Sequence, residues 1–410
     1  MRIEFGAFLA PHHPIGEHPM LQYRRDLDLV EQLDKLGFDE FWCGEHHSTG
    51  WEVIASPEMF LAAAGERTRR IMLGTGVLSL PYHHPFHVAD RMVQLDLMTG
   101  GRAIMGTGPG ALPSDAKMLG IDPIVLRDRQ DEALGVIKRL LAGERFSYES
   151  EWFTLVDARL QVLPMQAEMP MAVASMVSPS GPELAGKHGV GLFSIGSMSA
   201  AGITAMPHQW SFVEEAARLH GQSADRRTWR VLANWHIAET RELAREQAMA
   251  GLHRWHNEYS VATLNPEAGI GYPTPEETFE TLTAPGGPAV VGTPDDLVAR
   301  IHELYALSGG FGCLIGFVND WALPHHIARS WDMVARYVVP EVNGLLSGFR
   351  ESRQYVIDNR APFLRAGEAI GAKIMATDHA RDVFTTEGIN GQTMIPPTVP
   401  QHSQATTAAD

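Results

Sequence analysis

Short apolar runs alternate with longer amphipathic runs about eight times along this 410-residue chain. This alternation constrains the fold more than any single motif, because strands separated by helices pair in parallel. Strand-like runs occur at 2–9, 39–43, 71–80, 102–106, 171–175, 191–195, 229–238 and 312–317. Helical spacing follows each of them; over 21–37, for example, Leu27, Leu29, Val30, Leu33 and Leu36 share one side. Eight strand–helix units predict an α/β chain folded as a closed (β/α)8 TIM barrel, in preference to an open doubly wound sheet.

Three segments break the pattern. Residues 143–170 are polar and contain Tyr148-Glu149-Ser150-Glu151-Trp152-Phe153, which predicts an inserted hairpin. Residues 259–293 are rich in Gly, Pro and Thr, and their length predicts a lid loop at the barrel mouth. The third is the C-terminus. The reading is a barrel over 1–347, a C-terminal helical arm over 348–385 and a disordered tail over 386–410.

Composition narrows the function. A net charge of −16 argues against nucleic acid or an anionic membrane as partner. No apolar run reaches the roughly 20 residues that span a bilayer. Cys43 and Cys313 lie in predicted buried strands and are too few for a disulfide framework. A soluble cytoplasmic protein is expected.

Polar and titratable residues crowd the ends of the predicted strands. His12 and His13 follow the first, Glu45, His46 and His47 the second, and His83 and His84 the third. In a parallel barrel these loops share one rim. A metal is one reading of so many histidines. The spacing opposes it, since adjacent residues of an extended strand face opposite ways and His83 and His87 have Pro85 between them. No metal is expected. A phosphate-bearing organic cofactor is the better reading. Ser175, Ser178, Ser180 and Gly181 join the fifth strand to a helix start, where hydroxyls and free N–H groups receive anions. Arg127 and Arg129 add cationic forks. Gly106, Gly108 and Gly110 let backbone approach a ring closely. Aromatic and Met residues near the rim, such as Trp42, Trp51, Phe60, Met105, Trp235 and Trp255, suit an apolar substrate, although most are expected to pack in the core.

These pieces resemble one family. Glu45-His46-His47, then Leu73-Gly74-Thr75-Gly76 through His84-Pro85, then Leu95-Asp96 through Gly101-Arg102 with Gly106, Gly108 and Gly110, are similar to the bacterial luciferase-like flavin monooxygenases. The resemblance runs in order to about residue 345. Gly44 to Glu52, Gly108 to Asp115, Arg127 to Ala133 and Trp255 to Tyr259 resemble most the members that oxidise a monoterpene such as limonene. The resemblance implies a homodimeric barrel that takes reduced FMN, or FAD, from an NAD(P)H-dependent flavin reductase. It implies reaction with O2 through a C4a-(hydro)peroxyflavin, with epoxidation of an apolar substrate favoured. Baeyer–Villiger oxidation of a ketone, deazaflavin-dependent hydride transfer and non-catalytic flavin binding are its alternatives. His46 matches the catalytic histidine, expected to titrate near neutral pH and to manage the proton. Glu45, Thr75, Gly76, Gly108, Arg129, Ser175, Ser178, Ser180, Gly181 and Trp255 match cofactor-binding positions. Luciferase itself has Cys where Gly108 stands and Arg where Pro109 stands, so light emission is not implied.

Overall fold

The computed structural model describes residues 2–10, 12–264, 271–374 and 376–379. Eight strands form its centre: β1 (Glu4–Leu9), β2 (Glu40–Cys43), β3 (Met72–Thr75), β4 (Ala103–Gly108), β5 (Met171–Ser175), β6 (Gly191–Ser194), β7 (Trp229–Ile237) and β8 (Cys313–Phe317). Each pairs in parallel with the next, and β8 pairs back onto β1 with Phe8 opposite Phe317. The ring is closed, so the barrel holds and the open sheet does not.

Alternation along the strands sorts the side chains. Phe8, Trp42, Ile104, Ala172, Phe193, Leu232, Ile315 and Phe317 fill the inside. The intervening residues, among them Phe41, Leu73, Val173, Val231 and Leu314, pack under the helices. Those helices are α1 (Pro19–Leu36), α2 (Pro57–Arg67), α3 (Pro85–Thr99), α4 (Leu126–Leu141), α5 (Ser180–His188), α6 (Ala200–Leu219), α7 (Arg241–Arg254), α8 (Pro294–Ser308) and α9 (Pro324–Met333). Local chemistry sets their ends. Pro opens α1, α2, α3, α8 and α9, where its missing N–H costs nothing. Thr293 and Asp296 form a capping box on α8.

The insertions differ in outcome. Phe146–Glu149 and Thr154–Ala158 pair as the expected hairpin. The segment read as a lid loop is more ordered than its composition implied. Its described residues take in the C-terminal part of a π-helix at Trp255–Leu264, an α-helix at Pro275–Leu282 and a strand at Ala289–Gly292 that pairs with β7. One Thr–Pro pair opens that α-helix: Thr274 accepts from Glu277 N, and Pro275 takes the first helical position. The third strand is shorter than the expected 71–80. After β3 the Gly76–Val77 peptide is cis, Leu78–Ser79 rejoins β4, and Leu80–Tyr82 is a 3-10 turn.

The chain divides after Leu345 into two units. In the second, helices run over Ser347–Asp358 and Arg360–Ile374, and the rings of Tyr355 and Phe363 meet edge-on at 5.7 Å. The tail expected to be disordered, 386–410, lies outside the described residues. No described helix is long and apolar enough to cross a membrane.

Candidate active site

The loop after β2 doubles back on itself. Thr49 and Gly50 both take φ of 76°, and the Thr49 hydroxyl accepts from the backbone N–H groups of Trp51 and Glu52. His46 N then donates to Ile54 O at 3.1 Å. The turn carries Glu52 back beside His46. The loop after β1 zips onto the same segment, with His13 N donating to Trp51 O and His12 bridging to Glu52. Backbone hydrogen bonds thus bring two histidines to one buried carboxylate.

His46 is clamped between two carboxylates. Its Nε2 lies 3.0 Å from Glu52 Oε2, and its Nδ1 lies 3.2 Å from Asp115 Oδ2. Asp115 comes from a short helix after β4, Pro113–Met118, and also accepts from Ser48 Oγ. Burial opposes charge on the imidazole, but Glu52 and Asp115 outweigh it and push His46 up to about 10. The two carboxylates thus favour the imidazolium, where the residue type alone titrates near neutral pH. Burial likewise opposes charge on Glu52, and the histidines outweigh it, so Glu52 stays far below the usual carboxylate range.

Aromatic rings wall this centre. The His12 ring lies 4.0 Å from that of Tyr259 and 4.9 Å from that of Phe317. The Tyr259 hydroxyl donates to Glu52, and burial raises its pKa. Trp255 reaches His12 with its indole N–H and packs 5.7 Å from Trp321. Both Trp255 and Tyr259 belong to the π-helical segment, one turn apart.

The adjacent Glu45 makes a second, separate knot. Its Oε1 meets His47 Nε2 at 3.0 Å and His83 Nε2 at 2.7 Å, while Oε2 accepts from Ser79 N at 2.7 Å. Glu45 thus ties the loops after β2 and β3 together. His13 turns away from His12, toward Asp26 at 2.9 Å and Asp320 at 2.7 Å.

The other expected residues are placed as follows. Thr75 is buried, and its hydroxyl both donates to Gly106 O and accepts from Gly106 N, so it stitches β3 to β4. Gly76 N donates to Cys43 O at 2.6 Å. A Cβ on Gly108 would meet Val77 Cγ2 at 2.6 Å, so its bareness admits the Val77 side chain. Ser175 is buried beside Gln209 Nε2. Ser178 and Ser180 are hydrogen-bonded to each other at 2.9 Å at the start of α5. Arg129, in the first turn of α4, stacks over Trp152 at 5.1 Å and makes no ion pair among the described residues. Of the rim aromatics, Trp42 and Phe60 pack in the core and Trp235 packs on Trp331. Sequence reasoning assigned no role to Glu52, Asp115, Tyr259 or His12. The available signal was electrostatic: that many buried histidines need carboxylates near them.

A family model described as luciferase-like monooxygenase matches residues 3–310. The chain belongs to the luciferase-like monooxygenases. It is 45% identical over 361 residues to 4-hydroxyprotoasukamycin monooxygenase of Streptomyces nodosus subsp. asukaensis, covering 87% of this chain and 97% of that one. It is 46% identical over 343 residues to limonene 1,2-monooxygenase of Rhodococcus erythropolis, covering 84% and 87%. Among solved structures it is similar to the oxygenating constituent of 3,6-diketocamphane monooxygenase of Pseudomonas putida, a type II Baeyer–Villiger enzyme in complex with FMN. That likeness has a TM-score of 0.70 at 25% identity and covers 83% of this chain and 99% of that one.

The luciferase-like barrel fits a phosphate-bearing flavin at this rim. α5 begins without a side-chain cap, so its first N–H groups are free for an anion. A Cβ on Gly181 would meet Ser175 Cβ at 2.8 Å, so glycine there lets this helix start press against the end of β5. Arg129 sits in the first turn of α4, and in a parallel barrel the starts of α4 and α5 lie at the same end. The Tyr82 hydroxyl is buried with no hydrogen-bond partner among the described residues. The enzyme is a flavin-dependent monooxygenase.

Proposed function

We propose that this enzyme is the oxygenating component of a two-component flavin system, adding one atom of O2 across a carbon–carbon double bond of an apolar, terpene-like substrate. The observation that carries this reading is His46 set between Glu52, at 3.0 Å, and Asp115, at 3.2 Å, amid aromatic rings, a setting that favours its imidazolium form. A protonated donor favours delivery of an electron-poor oxygen, which an alkene accepts. Oxidation of a ketone to an ester calls for an electron-rich, anionic oxygen, which a fixed cation with a proton to give does not favour. Bound reduced flavin, FMN by analogy with the diketocamphane oxygenase, supplies the two electrons. One oxygen atom enters the double bond, and the other leaves as water with two protons.

In this reading Arg129, Ser178, Ser180 and the start of α5 hold the flavin phosphate. Trp255, Tyr259 and Phe317 exclude water and receive the substrate. Limonene 1,2-monooxygenase at 46% identity supports the substrate class. A separate NAD(P)H-dependent reductase would supply the flavin.

The test is to supply reduced FMN, 18O2 and a cyclic monoterpene alkene, and to weigh the product. One labelled oxygen in an epoxide is expected. Absence of O2 uptake would remove the monooxygenase reading of this substrate. Conversion of a cyclic ketone to a lactone with the alkene untouched would replace epoxidation by Baeyer–Villiger chemistry.

A further inference from the structure

Three groups gather round one buried carboxylate. Glu52 accepts from the Tyr259 hydroxyl and lies within ion-pair distance of His12 Nε2, at 3.3 Å, and of His46 Nε2, at 3.0 Å, while its Oε2 has no hydrogen-bond partner among the described residues. The partners on the far sides of the two rings decide where the protons lie. An indole nitrogen can only donate, and Trp255 Nε1 lies 3.4 Å from His12 Nδ1. His12 Nδ1 therefore presents a lone pair, and its one proton sits on Nε2, facing Glu52. His46 is different: its Nδ1 hydrogen-bonds Asp115 Oδ2 at 3.2 Å, and its Nε2 lies 3.0 Å from Glu52 Oε2, close enough for that second negative charge to favour a proton on each nitrogen.

We propose that Glu52 is a positioning residue that holds two histidines in opposite charge states, His46 as imidazolium and His12 as the neutral Nε2–H tautomer. This deepens the oxygen-transfer reading by naming what keeps its donor protonated. The charge assignment rests on the Trp255–His12 and His46–Asp115 hydrogen bonds and on the 3.0 Å approach of His46 to Glu52.

The surroundings agree. Burial is the largest influence on His12 and lowers its pKa despite Glu52. His46 is driven upward because it gains a second carboxylate, Asp115. Other titratable groups facing the pair are Tyr259 from the π-helical segment, His47 beside His46, and His13 beside His12. His13 is pushed up to about 9 by its own bonds to Asp26 and Asp320 after burial is overcome, so it is charged and disfavours a second cation at His12.

Histidine side-chain 15N spectra of the full-length protein, with no flavin or substrate added, test this. Near neutral pH, His46 should show two protonated nitrogens and should not titrate until about pH 9 or above. His12 should show one lone-pair nitrogen, Nδ1. Glu52→Gln should lower the His46 midpoint by roughly two pH units and free the His12 tautomer. Trp255→Phe should shift His12 Nδ1 and leave His46 protonated. A neutral His46 or a charged His12 in the wild type overturns the proposal, as does a Glu52→Gln midpoint equal to the wild type. Should Glu52→Gln fail to fold, the wild-type titration and Trp255→Phe still decide. The spectra contain no oxygen chemistry, so an enzyme that shows them yet makes no epoxide would sink the proposed function and leave this assignment standing.

Discussion

The two ends of the barrel solve one electrostatic problem with different cations. At the N-terminal end, buried Glu40 accepts from Arg230 at 2.6 and 2.7 Å and from Trp42 Nε1 at 2.9 Å. At the C-terminal end, buried Glu52 and Asp115 face imidazoles instead. A guanidinium keeps its proton throughout the working range, whereas an imidazole can give its proton away. The floor is a fixed brace and the rim can do chemistry.

This contrast teaches more than cavity size does. A cavity of about 320 Å³ opens at the floor, lined by Glu4, Asp39, Glu40, Arg70 and Arg230 among others. Glu4, Glu40 and Cys313 even converge there at metal-ligand spacing. Yet Glu40 is already taken by Arg230, and burial drives the Cys313 thiol far up, so the thiolate that a metal needs is suppressed. What marks the active end is which cation sits beside the buried carboxylates.

The comparison can be broken most easily at the floor. Arg230→Met leaves Glu40 buried without its cation and should cost about 3–5 kcal/mol of stability in urea unfolding. Stability equal to the wild type would mean that the floor is no brace. At the rim, Asp115→Asn removes one of the two carboxylates that hold His46 charged. The alkaline limb of the pH–activity profile should move down by about one pH unit; an unmoved limb would detach Asp115 from His46.

The ends should also part in their pH dependence. The folded pKa of His46 is raised, so the stability it contributes is complete below the free imidazole value of about 6.5 and is lost as pH rises through about 10. The Arg230–Glu40 pair contributes evenly over that window. Unfolding midpoints measured from neutral pH upward should fall in the wild type and fall less in His46→Gln. The smallest effect is expected at Thr75. Thr75→Val removes both bonds to Gly106 and should cost about 1–2 kcal/mol, read as a small drop in Tm.

The barrel was legible in the sequence because its strands are continuous apolar runs and its helices have one wet face. The strand at Ala289–Gly292 was not: it has four residues in a Gly- and Pro-rich setting, and only its pairing with β7 defines it. The site was half legible. His46 could be found from its place just past β2. Its charge could not, because Asp115 lies 69 residues away and Glu52 reaches it only after the turn at Thr49 and Gly50. Glu45, the nearest acid in sequence, pairs with His47 and His83 instead. Adjacency in the chain does not tell which carboxylate a histidine meets.

The central claim is that the rim histidine, held charged by its carboxylates, steers oxygen to substrate. The ratio of product formed to reduced flavin consumed in His46→Ala measures this directly. The account predicts that flavin is still oxidised while the ratio falls, on the order of a hundredfold, with hydrogen peroxide making up the difference. A ratio equal to that of the wild type would contradict it.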